Sequence, residues 1–171
     1  VIWYLIDNNK YFVKNFTLSL LFPFLVAIAS GFYQYTYGFS IVGEIHRFER
    51  LNLFIKDEYL LGNYLSRLFP LLAGLLIINF KNNLKLLFYI ISIFILVDVI
   101  IYLSGERTAL GLMFLSSLFI IIFASKIRLI RIISIILSVG IIILISSLSP
   151  SIKERNIDQT IQEMGLNSNS E

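Results

Sequence analysis

The amino-acid sequence predicts an all-α fold, a polytopic bundle of transmembrane helices. Three observations predict it. Hydrophobic residues make up 57% of the chain and charged residues only 15%, at a mean hydropathy of +0.83, whereas a soluble domain carries about 25% charged residues. The apolar residues stand in long blocks and not at the spacing of a core-facing stripe. The polar connections between several of these blocks are short and basic.

A helix rises about 1.5 Å per residue, so roughly 20 apolar residues cross a hydrocarbon core of about 30 Å. Five segments meet that requirement. The first, 16–32, contains Pro23. The second, 59–80, carries Arg67 and Pro70, and the proline, lacking an N–H, leaves the Ser66 carbonyl without its helical donor and predicts a kink. The third, 84–103, holds Asp98. The fourth and fifth are 108–125 and 132–148. The apolar stub 1–6 is too short to cross and reads as the tail of a further span. The expected architecture is therefore about five spans plus a partial N-terminal one, in a single membrane domain over 1–171, with no internal repeat.

The connections divide into two sets if the spans alternate. Residues 7–14, 81–85 and 126–131 (KIRLIR) are short and hold Lys or Arg with almost no acid. The other side receives 34–58, the turn 104–107, and 149–171. The raw count of basic residues is level: Lys10, Lys14, Lys81, Lys85, Lys126, Arg128 and Arg131 stand against Arg47, Arg50, Lys56, Arg67, Arg107, Lys153 and Arg155. Short loops near span ends carry the most weight in setting orientation, so the first set is expected in the cytoplasm and loops 34–58 and 149–171 outside.

The chain begins at Val1 without a basic leader or cleavage site and stops in the polar run MGLNSNSE. Both ends read as cut, and the chain as a fragment. It contains no Cys, which removes disulfides and thiolate metal sites. A formal charge of +3 is too small to point to nucleic acid. No Gly-rich phosphate loop, HExxH or GxSxG pattern occurs.

Charged groups at membrane depth are costly and need a partner or a task. Arg67 either snorkels to the head-group level as an anchor or stands at the rim of an outward cavity. Asp98 lies nine residues from Arg107, about 13 Å along a helix, out of reach. It is expected to be satisfied by a neighbouring helix. His46, the sole histidine, sits in a loop and reads first as a solvated residue and second as a base.

The string SGERTAL at 104–110 joins the third and fourth blocks through very few residues. Gly105 permits the tight turn. Arg107 then falls at a helix N-terminus, where free N–H groups and the helix dipole already favour an anion, with Glu106 beside it to orient or partly neutralise it. The bland reading is a helical hairpin whose polar turn faces water. An anion site is favoured because Arg50, Arg67, Arg107 and Arg155 all map to one side, and guanidinium groups, always charged and bidentate, suit diphosphate oxygens.

Four strings resemble the O-antigen polymerase and O-antigen ligase superfamily of bacterial envelope glycosyltransferases. They are YQYTYGFSIVG (33–43), RLNLFIKDEYLLGNYLSRLFPLL (50–72), SGERTAL, and SPSIKERNIDQTIQEMG (149–165), in that order. The second departs from the family in carrying Leu53 and Lys56 where a Gly often follows the Arg-Leu pair. The resemblance implies a many-span enzyme of the bacterial inner membrane that uses no nucleotide, metal or other cofactor. Its donor would be a polyprenyl-diphosphate-linked glycan and its acceptor a glycan or lipid A-core hydroxyl on the external face, with membrane lipid around it and no nucleic acid. It implies Arg107, and with it Arg50, Arg67 and Arg155, as diphosphate binders, and Glu106 and Glu58 as supporting carboxylates. In ligases a loop that would begin at Ser149 supplies a histidine thought to act as base. No such residue is present, so the catalytic base is unassigned and the active site is expected to be incomplete. The Arg-rich stretch 47–67 leans toward polymerase. Two other classes fit the residues: a lipid-linked glycan flippase, which would have short loops throughout, and a non-catalytic membrane scaffold, which would tolerate Ala at every external Arg.

Overall fold

The computed structural model describes residues 11–39, 51, 60–79, 84–125 and 127–148. Within them the fold is all-α, with five helices: α1 (Phe12–Tyr37), α2 (Leu61–Asn79), α3 (Leu84–Ser104), α4 (Arg107–Phe123) and α5 (Arg128–Leu148). Helices α1 and α2 run through Pro23 and Pro70. Partner contacts show that chain direction alternates. Asn79 at the end of α2 donates to Thr17 Oγ1 near the start of α1 at 2.8 Å. Tyr102 at the end of α3 meets Ser146 near the end of α5, also at 2.8 Å. One end of the bundle therefore gathers the starts of α2 and α4 and the ends of α1, α3 and α5.

Helix α3 is central and touches all four others, packing most extensively on α5, while α2 packs on α4. The core is built from large apolar side chains: Phe24 of α1, Leu65, Phe69 and Leu72 of α2, and Phe94, Val97 and Ile101 of α3 are fully buried. Helix α5 is organised inside out. Arg131, Ser134 and Ser138 face inward and are buried, whereas Ile136, Ile143 and Leu144 face outward with 60% or more of their surface exposed. Water would penalise that arrangement, and lipid favours it. Two interior hydroxyls are satisfied within their own helices: Thr17 donates to the Val13 carbonyl at 2.7 Å, and Ser117 to that of Met113 at 2.7 Å.

Three helices are long and apolar enough to cross a membrane: Phe12–Tyr37, Leu87–Ser104 and Arg128–Ser147. The chain is thus a multi-pass membrane protein. The expected count of five spans is corrected to three among the described residues. The block expected at 108–125 forms a 17-residue apolar helix, about 26 Å long at 1.5 Å per residue, short of the hydrocarbon core. The block expected at 59–80 spends the first turns of α2 on Asn63, Ser66 and Arg67. The partial N-terminal span expected at 1–6 and loop 149–171 lie outside the described residues, as does 34–58 except for 34–39 and 51. Of the 34–58 segment, residues 34–37 continue α1 instead of opening a loop.

Candidate functional site

The turn between α3 and α4 forms as its sequence requires. Gly105 adopts φ 70°, a conformation that costs a residue with a Cβ, and its N–H donates to the Tyr102 carbonyl at 3.2 Å. Glu106 is extended, with φ −93° and ψ 103°, and Arg107 opens α4. The Glu106 side chain is 7% exposed and reaches across to α2. Its two carboxylate oxygens accept the backbone N–H groups of Gly62 at 2.9 Å and Asn63 at 3.0 Å. A carboxylate here satisfies two otherwise unpaired donors of a helix start and complements the positive end of its dipole.

The approach is close enough to dictate the residue at position 62. A Cβ on Gly62 would collide with Ser104 Oγ and lie 3.1 Å from the Ala109 Cβ. Thr108 Oγ1 adds a longer contact to Asn63 Oδ1 at 3.4 Å. Ser104 itself donates to the Ile101 carbonyl at 2.7 Å. The starts of α2 and α4 and the end of α3 are in this way fastened at one corner. Sequence reasoning gave Glu106 to Arg107 alone and missed α2, because nothing local marks a partner more than 40 residues away.

Arg107 is exposed on the first turn of α4, and Arg67 is exposed on the second turn of α2. Parallel packing of α2 and α4 puts both at the same end of the bundle. Arg50, Arg155, Glu58 and His46 lie outside the described residues. Among the described residues no three His, Cys, Asp or Glu come together as a metal site would need.

A second polar centre lies inside the bundle. Asp98 of α3 and Arg131 of α5 form a bidentate pair, Nη1 donating to Oδ2 at 3.0 Å and Nη2 to Oδ1 at 2.9 Å. They are 8% and 1% exposed. The remaining guanidinium donors go to Ser117 Oγ of α4, from Nε at 3.2 Å and Nη2 at 2.6 Å, and to Ser134 Oγ at 3.4 Å. Ser138 Oγ donates to Asp98 Oδ2 at 2.8 Å. Phe69 of α2 and Phe94 of α3 lie against the guanidinium, with ring centroids 4.8 and 5.4 Å from Cζ, a favourable use of the ring quadrupole. One side chain thus contacts α2, α3 and α4 from α5.

Asp98 is satisfied by a neighbouring helix, as expected. Arg131 is the correction: it was grouped with the short basic connection 126–131, and it is a buried helical residue. The apolar block was started at 132, whereas α5 begins at Arg128. Arg128 is also no free loop cation, since its Nε donates to the Ile121 carbonyl at 2.6 Å and Nη2 to that of Ile122 at 3.1 Å. It covers the last carbonyls of α4, where a cation is favoured. The polar stripe Arg131, Ser134, Ser138 was the available signal, since its spacing of three and four residues puts all three on one helical face.

Comparisons of the chain with protein-family models, with curated proteins and with solved structures find no match.

Proposed function

We propose that the chain is part of a bacterial inner-membrane glycosyltransferase of the O-antigen polymerase or ligase kind. It transfers a glycan from a polyprenyl-diphosphate carrier to a sugar hydroxyl at the external face. In this inverting-type step the acceptor hydroxyl oxygen attacks the anomeric carbon and gives its proton to a base that is not assigned among these residues. The bond from that carbon to the diphosphate oxygen breaks, and negative charge grows on the leaving diphosphate. Arg107 holds that diphosphate, with Arg67 on the neighbouring helix and Arg50 and Arg155 as further cations. A fixed cation aimed at charge that develops in the transition state lowers the barrier without reorganisation.

The observation that carries the reading is the corner at Arg107. Its guanidinium-bearing residue is exposed on the first turn of α4, and the peptide that holds it is anchored by the Glu106 contacts to Gly62 and Asn63. An exposed cation on a rigidly held backbone is what a pre-placed anion contact needs. Glycan transfer in membranes, compared at matched expression for the native protein, Arg107→Lys and Arg107→Ala, tests the reading.

A further inference from the structure

The Asp98–Arg131 pair forms part of the lining of an open slot between α4 and α5, with a volume of about 310 Å³. That lies at the lower end of the roughly 300–1,000 Å³ of small-molecule pockets. Asp98, Ser117, Arg131 and Ser138 supply its polar floor. Leu110, Phe114, Leu118 and Ile121 form one wall and Ile135, Val139 and Ile142 the other. Along α4 the slot runs from 110 to 121, about 16 Å at 1.5 Å per residue. At its mouth Phe114 is 67%, Leu118 39% and Val139 48% exposed. The mouth is apolar and lies beside the outward, lipid-suited face of α5.

The hydrogen-bond inventory of the floor selects what can enter. A guanidinium has five N–H donors, and all five of Arg131 are engaged, by Asp98, Ser117 and Ser134. An anion would find no free donor and would face the Asp98 carboxylate. An ionised carboxylate has about four acceptor positions. Arg131 fills two of those on Asp98, and the single Ser138 proton is shared between Asp98 Oδ2 at 2.8 Å and the Ser134 carbonyl at 2.7 Å, which leaves at least one. The pair is already neutral, so a cation would bring an unbalanced charge into a dry site. A plain hydrocarbon would leave the open acceptor unpaired. An uncharged donor remains.

We propose that this slot binds a neutral, hydroxyl-bearing amphiphile, a long-chain alcohol by chemical class. Its chain lies along the α4–α5 walls and its hydroxyl donates to the Asp98 carboxylate. This site is independent of the transfer reaction and of Arg107.

The test uses the full chain in lipid nanodiscs and a diazirine-bearing alkanol, with labelled residues found by mass spectrometry. Labelling is expected to be saturable and centred on the slot walls. Octanol should displace it about tenfold or more better than octane, the factor expected from a hydrogen bond to a charged group, and octanoate and octylamine should compete poorly. Val139→Trp on one wall, and independently Leu118→Trp on the other, fill the slot without touching the ion pair and should each abolish the labelling. Unsaturable labelling, equal competition by octane or octanoate, or persistence in both Trp variants overturns the proposal. Absence of labelling in the native protein overturns it too, because another helix or a second copy then covers the slot.

Discussion

Asp98 and Arg131, 33 residues apart in sequence, share two hydrogen bonds of 2.9 and 3.0 Å deep between α3 and α5. Their pairing ties the register of these two parallel helices, because the planar guanidinium donates through both Nη groups to the two carboxylate oxygens. Ser117 and Ser134 accept the remaining guanidinium donors, so no N–H of the Arg131 guanidinium is left unmet.

Removing one partner strands the other. Asp98→Leu and Arg131→Met are each expected to cost about 3–5 kcal/mol, since each leaves a buried charge without its partner. The apolar double variant Asp98→Leu/Arg131→Met should recover most of that, since it leaves no uncompensated charge. Unfolding of the four proteins in detergent measures the coupling. Strictly additive effects would show that the two residues do not act as a pair.

The corner at Glu106 makes a separate prediction. Gly62→Ala drives a methyl into Ser104 and should destabilise by about 1–3 kcal/mol, the cost of overpacking. Glu106→Gln keeps one carbonyl oxygen but replaces the other with a donor, leaving the Gly62 or the Asn63 N–H unpaired at about 1–3 kcal/mol. Both variants should melt earlier while the Asp98–Arg131 coupling is unchanged. Native melting of Gly62→Ala would contradict the close approach.

Orientation is testable because the chain has no Cys of its own. Leu129 and Ser147 are exposed at opposite ends of α5, one of the three long apolar helices, and the Ser147 end is the end of the bundle that holds the Arg107 corner. Ser147→Cys should react with an impermeant thiol reagent in intact cells, and Leu129→Cys only after permeabilisation. The reverse pattern would place the Arg107 corner in the cytoplasm and remove it from any external reaction.

Much of this fold was legible in the sequence, because apolar blocks of helical length and the Gly105 turn are local signals. Asp98 announced its need for a partner by standing alone among apolar residues. The partner was hidden, since Arg131 sits at the seam between a basic run and an apolar block, and a hydropathy boundary there assigns it to the loop. Its helical register with Ser134 and Ser138 outweighs the hydropathy of one residue. Gly62 and the second task of Glu106 were not legible. They express how closely α2 approaches the α3–α4 corner, a tertiary distance that no local pattern encodes.

The functional reading rests on Arg107. Glycan transfer in membranes from cells expressing the intact protein, with protein levels matched, measures its part most directly. Loss of a pre-placed contact to developing charge predicts a fall of roughly 10²–10³-fold for Arg107→Ala. Arg107→Lys, which keeps the charge but not the planar fork, should retain little activity. Both variants should insert and accumulate normally, because the side chain is exposed. Transfer by the Ala variant within about threefold of the native rate, a change of less than about 1 kcal/mol, would contradict the assignment.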